Sequence, residues 1–211
     1  MDFNNLVTQL NAGAILPEGI VVITLLTVLI GDLIVGRNGA RNLCYVAVGG
    51  LLVSIAALVL QWDSLKPVSF FGAFSSDPLS VVFRGIIVLA AAVTILMSVS
   101  YVEQTGTALA EFVMILLTAT LGGMLLSGAT ELVTIFVSLE TLSISSYLMT
   151  GYMKRDPRSN EAALKYLLIG ASSSAVFLYG ISLLYGLSGG ETHCQKSLWE
   201  LLVLVVIYPW D

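Results

Sequence analysis

"IFVSLETLSISSYLMTGY", residues Ile135 to Tyr152, is apolar enough to cross a bilayer, yet it carries a carboxylate, Glu140, near its middle. A helix needs about 20 residues to traverse roughly 30 Å of hydrocarbon, and comparable runs recur along almost the whole sequence. Of 211 residues, 57% are hydrophobic and only 11% charged. The mean hydropathy is +0.93, and together these values lie outside the range of soluble globular domains. The fold class they predict is all-α: a polytopic transmembrane helix bundle. Spans are expected at Ile15 to Val35, Leu43 to Leu60, Leu79 to Val99, Glu111 to Ser127, Leu132 to Tyr152 and Ala163 to Leu187, six in all. A short C-terminal apolar segment, Leu198 to Tyr208, is too brief for an ordinary span and is expected to be unpaired or interfacial. Linkers, low-complexity tracts and clear repeats are missing, so the chain reads as one membrane domain.

Asp77 followed by Pro78 marks the firmest boundary, because aspartate caps free amides and proline has no amide to satisfy at the first helical position. Arg37 and Arg41 fall between spans one and two, and Lys154, Arg155 and Arg158 between five and six. Alternation puts both loops on one side, and their basic character makes that side cytoplasmic, with the amino terminus outside. The opening "MDFNNLVTQL" has no basic region and no small-residue cleavage signal after the first apolar run, so the first span is expected to be retained.

The net charge of -5 comes from acids scattered singly between spans and specifies no ligand. Cys44 and Cys194 are far apart, and His193 is the single histidine. Ligation of iron–sulfur clusters, haem or zinc by this chain is therefore not expected. Neither a Walker loop nor a GxGxxG turn occurs, and neither nucleotide nor nucleic acid is an expected partner. The pairs Gly49-Gly50 and Gly122-Gly123 read instead as points of close helix packing. The partner that the composition does demand is the lipid bilayer.

Counted from Leu132 at about 1.5 Å per residue, Glu140 lies roughly 12 Å into its span, near the midplane. An ionised carboxylate is expensive there unless a cation or water answers it. Two readings stay open: a neutral, hydrogen-bonded structural acid, or a proton carrier. Ser143 and Tyr147, at i+3 and i+7, share its face and offer hydroxyls. Lys165, in "NEAALKYLLIG", either snorkels to the cytoplasmic headgroups or takes part in the same chemistry. It differs from Glu140 in height by about 15 Å, which argues against a direct ion pair. Asp32 reads as an interfacial anchor answered by Arg37, and Glu111 and Glu131 as span ends. Arg84, about six residues inside span three, is too deep for easy snorkelling; it calls for a partner carboxylate or a lipid headgroup, with anchoring the alternative. Ser172 to Ser174, after Gly170 and Ala171, give span six a small-residue face suited to helix packing.

The run "SLETLSISSYLMTGYMKRDPRSNEAALKYLLIGASSSAVFLYGISLLYG", with "DPLSVVFRG" and "PEGIVVITLL", resembles subunit 2 of the NAD(P)H-quinone oxidoreductases, the complex I relatives, most closely the cyanobacterial and chloroplast type. The resemblance covers Met1 to about Gly190. It implies the N-terminal part of an antiporter-like fold in a membrane-arm subunit that couples proton translocation to electron transfer. In that family a glutamate of the fifth helix lies on a proton pathway, and Glu140 matches it; Lys165 matches a lysine near the start of the sixth. No cofactor is implied in this chain. The complex as a whole uses a quinone, plastoquinone in photosynthetic electron transport, with NAD(P)H or ferredoxin as donor, and its iron–sulfur clusters lie in other subunits. Implied partners are the other membrane and peripheral subunits, and the implied location is the thylakoid membrane, with a lumenal amino terminus.

Family members are longer, with further lysines, a broken seventh helix and a second half related to the first by inversion. The tail "ETHCQKSLWELLVLVVIYPWD" departs from the family pattern. The expected division is thus 1–190, a truncated antiporter-like domain, and 191–211, an atypical tail. Three rival readings remain: a structural membrane scaffold without its own proton path, a fragment of a stand-alone cation/proton antiporter, and a nonfunctional fragment.

Overall fold

The computed structural model describes residues 12–35, 40–62, 70–105, 108–194 and 196–198. Its helices are α1 (Leu16–Val35), α2 (Ala40–Gln61), α3 (Pro78–Thr105), α4 (Leu109–Gly128), α5 (Leu132–Thr150) and α6 (Pro157–Leu187). All six are long and apolar enough to cross a membrane. Helices close their own backbone hydrogen bonds, which is the condition that hydrocarbon imposes on any lipid-facing segment. Arg37, Lys66 and most of the run from Leu198 to Tyr208 lie outside the described residues.

The bundle is built around α4, which packs against α1, α2, α3 and α5. Of its span window 56% is buried, against 17% for α5 and none for α6. Val21, Leu51, Val88, Ile95, Val113 and Leu117 form the centre of the apolar core, all fully buried. α6 packs chiefly on α5 and leaves the rest of its apolar surface open. In a bilayer that surface carries no hydrophobic penalty, since lipid tails are as apolar as the side chains.

Close approaches between helices rest on glycines. A Cβ at Gly122 would lie 2.8 Å from the amide nitrogen of Leu142 and 3.0 Å from the carbonyl oxygen of Ser138, so α4 meets the backbone of α5 directly. Gly50 of α2 is overlain by the Thr24 side chain of α1, and Gly31 of α1 receives Leu43. In each sequence pair one glycine makes the tight contact: Gly49 faces open space, and Gly123 meets Ile87 at an ordinary 3.4 Å.

Span boundaries move outward from the apolar runs wherever polar turns remain helical. α3 continues past Val99 to Thr105, and α6 begins at Pro157 rather than Ala163. Asp156 caps α6 by accepting a bond from the Arg158 amide at 3.0 Å, and Pro157 fills the first turn. α3 starts at Pro78, as expected, with the Val81 amide donating to the Asp77 carbonyl at 3.0 Å.

Two clusters of turns close the ends. At one, the Tyr152 hydroxyl donates to the Ala108 carbonyl, and its ring meets Phe112 edge-on at 5.4 Å. At the other, backbone bonds join the segments before α3, before α5 and after α6. Ser75 donates to Gly128 at 2.8 Å, Leu132 to Thr192 at 2.9 Å and Cys194 to Thr130 at 3.0 Å. The start of the 191–211 tail is thus hydrogen-bonded to the α4–α5 turn.

Gly122→Ala is expected to lower stability by about 1–3 kcal/mol, because the added methyl meets backbone that cannot move aside. Gly49→Ala, which enters open space, should leave the thermal unfolding midpoint of the detergent-solubilised protein unchanged.

Candidate functional site

Glu140 stands mid-helix on α5 and is half-buried. Its Oε1 is buried without a hydrogen-bond partner. Four hydroxyls of the same helix spend their hydrogens on their own backbone. Thr141 donates to Val137 and Ser145 to Thr141 at 2.8 Å, while Ser146 donates to Leu142 and Thr150 to Ser146 at 2.9 Å. Tyr147 is turned toward α6: its ring meets Tyr166 edge-on at 4.8 Å, and its hydroxyl occupies the space that a side chain at Gly170 would need.

Lys165 is paired within its own helix, Nζ lying 2.5 Å from Oε1 of Glu161 one turn earlier, with both side chains largely exposed. The structure therefore does not bring Lys165 to Glu140. Ser172 and Ser173 of the small-residue run are exposed and donate to the carbonyls of Leu168 and Ile169. The packing contact of that region is made by Gly170.

A second constellation lies deeper. Arg84 of α3 has no solvent exposure, and its Nη1 sits 3.3 Å from Oε1 of Glu18, in the first turn of α1. The Arg84 guanidinium also donates to the Ala14 carbonyl at 3.4 Å, the Ser75 carbonyl at 3.2 Å, Ser76 Oγ at 3.3 Å and Ser80 Oγ at 3.0 Å. The Phe74 ring covers it at 4.5 Å. Of the options open for Arg84, the structure selects the partner carboxylate. Glu18 escaped the sequence reading because an acid in a first helical turn resembles an ordinary dipole-complementing residue.

The remaining charges are peripheral. Glu111 pairs with Lys154 at 3.6 Å on the surface, and Thr134 donates to Glu131 at 3.4 Å beside the start of α5. Among the described residues no three His, Cys, Asp or Glu side chains gather as metal ligands.

Two family models match the chain: the N-terminal region of NAD(P)H-quinone oxidoreductase subunit 2 over residues 4–100, and the NADH:quinone oxidoreductase/Mrp antiporter transmembrane region over 129–203. The second match continues past Gly190 into the tail. Proteins called NAD(P)H-quinone oxidoreductase subunit 2 are 73% identical over 192 residues in a Nostoc species and 72% over 193 residues in Microcystis aeruginosa. Each alignment takes in 91% of this chain but only 37% and 38% of the relative's length. Among solved structures, respiratory complex I from Thermus thermophilus contains a chain with TM-score 0.70 and 29% identity, covering 89% of this chain and 42% of its own. An archaeal membrane-bound sulfane sulfur reductase shares the fold at TM-score 0.68 and 20% identity, over 85% of this chain and 38% of its own.

Arg84→Leu strands Glu18 as an uncompensated buried charge and is expected to destabilise the protein by about 3–5 kcal/mol. Combining it with Glu18→Leu should restore much of that loss. Chemical unfolding of the two variants in detergent measures the difference.

Proposed function

We propose that this chain, which belongs over its matched residues to the NAD(P)H-quinone oxidoreductase subunit 2 family, is a membrane-arm subunit contributing to proton translocation coupled to electron transfer. The observation that carries this reading is Glu140: a carboxyl at mid-depth whose Oε1 is buried and unpartnered. A structural acid is expected to have its polar atoms satisfied, whereas a proton carrier needs a site where its partner can change.

In this reading Glu140 holds a proton partway across the membrane. A change of charge at a neighbouring site alters the field at Glu140 and so drives the proton on or off the carboxyl. Lys165 serves at the cytoplasmic end of α6, where releasing Glu161 frees its ammonium. Water or polar side chains must span the difference in height between the two. The chain spans 37% and 38% of the length of two of the relatives it matches. The assembly supplies the redox chemistry: quinone, plastoquinone in photosynthetic membranes, with NAD(P)H or ferredoxin as donor and iron–sulfur clusters in other subunits. The cyanobacterial relatives favour a thylakoid location, and the basic residues Lys154, Arg155 and Arg158 between α5 and α6 favour an amino terminus on the lumenal side.

A scaffold role is the competing reading, and the exposed Lys165–Glu161 pair speaks for it, since Lys165 there behaves as a surface anchor. Glu140→Gln keeps the shape and removes the titrating group. In membranes containing the assembled complex, this variant is expected to abolish proton pumping while quinone reduction continues; pumping at the normal rate establishes the scaffold instead. Lys165→Gln should slow pumping less than Glu140→Gln.

A further inference from the structure

We infer that Glu18 is a second proton-holding group, at the end of the bundle opposite Lys165, with Arg84 as its fixed counter-charge. As a stop on a proton route this rests on the function proposed above.

The argument is an asymmetry between the two partners. Although its Nε is buried without a partner, Arg84 is held by more than Glu18: the carbonyls of Ala14 and Ser75 and the hydroxyls of Ser76 and Ser80 accept from Nη1 and Nη2, and the face of Phe74 covers it. Its place and its charge are secured by neutral groups. Glu18 is the opposite case. It is 1% exposed, yet neither Oε1 nor Oε2 has a hydrogen-bond partner, and Arg84 Nη1, 3.3 Å from Oε1, is its charged neighbour. Unsatisfied carboxylate oxygens in a buried site are costly, and the ionised state of Glu18 is secured chiefly by the charge of Arg84. As pH falls, a hydronium ion at this face gives up one O–H bond and leaves as water, and the proton forms an O–H bond on a Glu18 carboxylate oxygen. Arg84 keeps all its protons, and the pair passes from net neutral to a single positive charge that the other acceptors already hold.

The position suits exchange with water. Glu18 lies in the first turn of α1, and Ala14, Ser75 and Ser76 precede the helices at that end. Among the described residues, α2 and α4, which pack on α1, bring no acid or base to this end: Arg41, Cys44 and Tyr45 of α2 and Glu111 of α4 lie at the other, while the segment after α6 brings His193, beside Gly72, and the Glu191–Lys196 pair. Asp77 and Glu131 are nearer, but Asp77 is exposed and Glu131 is engaged by Thr134. Lys165, Glu140 and Glu18 thus stand at three levels along the membrane normal.

The test is infrared titration of the full chain in lipid vesicles. The protonated-carboxyl band that grows as pH falls should contain a component that persists in Glu140→Gln, disappears in Glu18→Gln and shifts in Glu18→Asp. A spectrum unchanged by either Glu18 substitution, or the lack of any such component in the wild type, overturns the inference. Glu18→Asp keeps the charge and serves if the glutamine variant fails to fold. In membranes with the assembled complex, Glu18→Gln is expected to lose pumping while reducing quinone; undiminished pumping removes Glu18 from the route. Failure of the reading for Glu140 registers separately, as normal pumping in Glu140→Gln with the Glu18 band intact.

Discussion

A guanidinium sealed inside a helix bundle dictates the arrangement of everything within reach, because an unanswered charge in that setting costs more than a small fold can supply. Arg84 takes its acceptors from the turn before α1, from α1 itself, from the segment leading into α3 and from α3's own first turn. It also shapes α4 by exclusion. A Cβ at Gly128 would lie 2.6 Å from the Phe74 ring and 2.8 Å from Arg84 Nη2, so the last residue of α4 has room for no side chain. One side chain therefore fixes the relative heights of α1, α3 and α4, which together with α2 build the buried core.

What the sequence made legible is what hydropathy and local geometry encode. Six spans follow from run length, the start of α3 from Asp77-Pro78, and the depth of Glu140 from counting along its helix. The same Asp–Pro signal stands at Asp156-Pro157, and weighing it against the polar turn that follows would have placed the start of α6 correctly. The Glu161–Lys165 pair has the spacing of a single helical turn and was open to the same local reasoning. The Glu18–Arg84 contact was not. Its partners are distant in sequence, and Glu18 carries the appearance of an interfacial residue until α1 and α3 are set side by side. Likewise, that Gly50 and Gly122 make tight contacts while Gly49 does not depends on the rotation of each helix about its axis, which composition leaves undetermined.

The two halves of the site differ in how their polar groups are satisfied. Around Arg84, acceptors converge from several elements, and none of them can move without disturbing the others. Around Glu140, polar atoms are numerous, and the hydroxyls of Thr141, Ser145, Ser146 and Thr150 are tied to their own helix. The first arrangement stiffens the end of the bundle, and the second leaves the middle of the membrane without a committed donor for a buried oxygen.

Those self-directed hydroxyls have a mechanical effect as well as a chemical one. A carbonyl that accepts a side-chain hydroxyl in addition to its amide shares its lone pairs between two donors, which weakens the ladder and lets the helix curve. Four such carbonyls fall between Val137 and Ser146, on the stretch that contains Glu140 and continues toward the Tyr147–Tyr166 contact. One flank of that stretch is clamped to α4 through Gly122, while Val137, Ile144 and Leu148 are exposed on the other. The stretch around Glu140 is accordingly held on one side by the backbone of α4 and left without a protein neighbour at those three residues on the other.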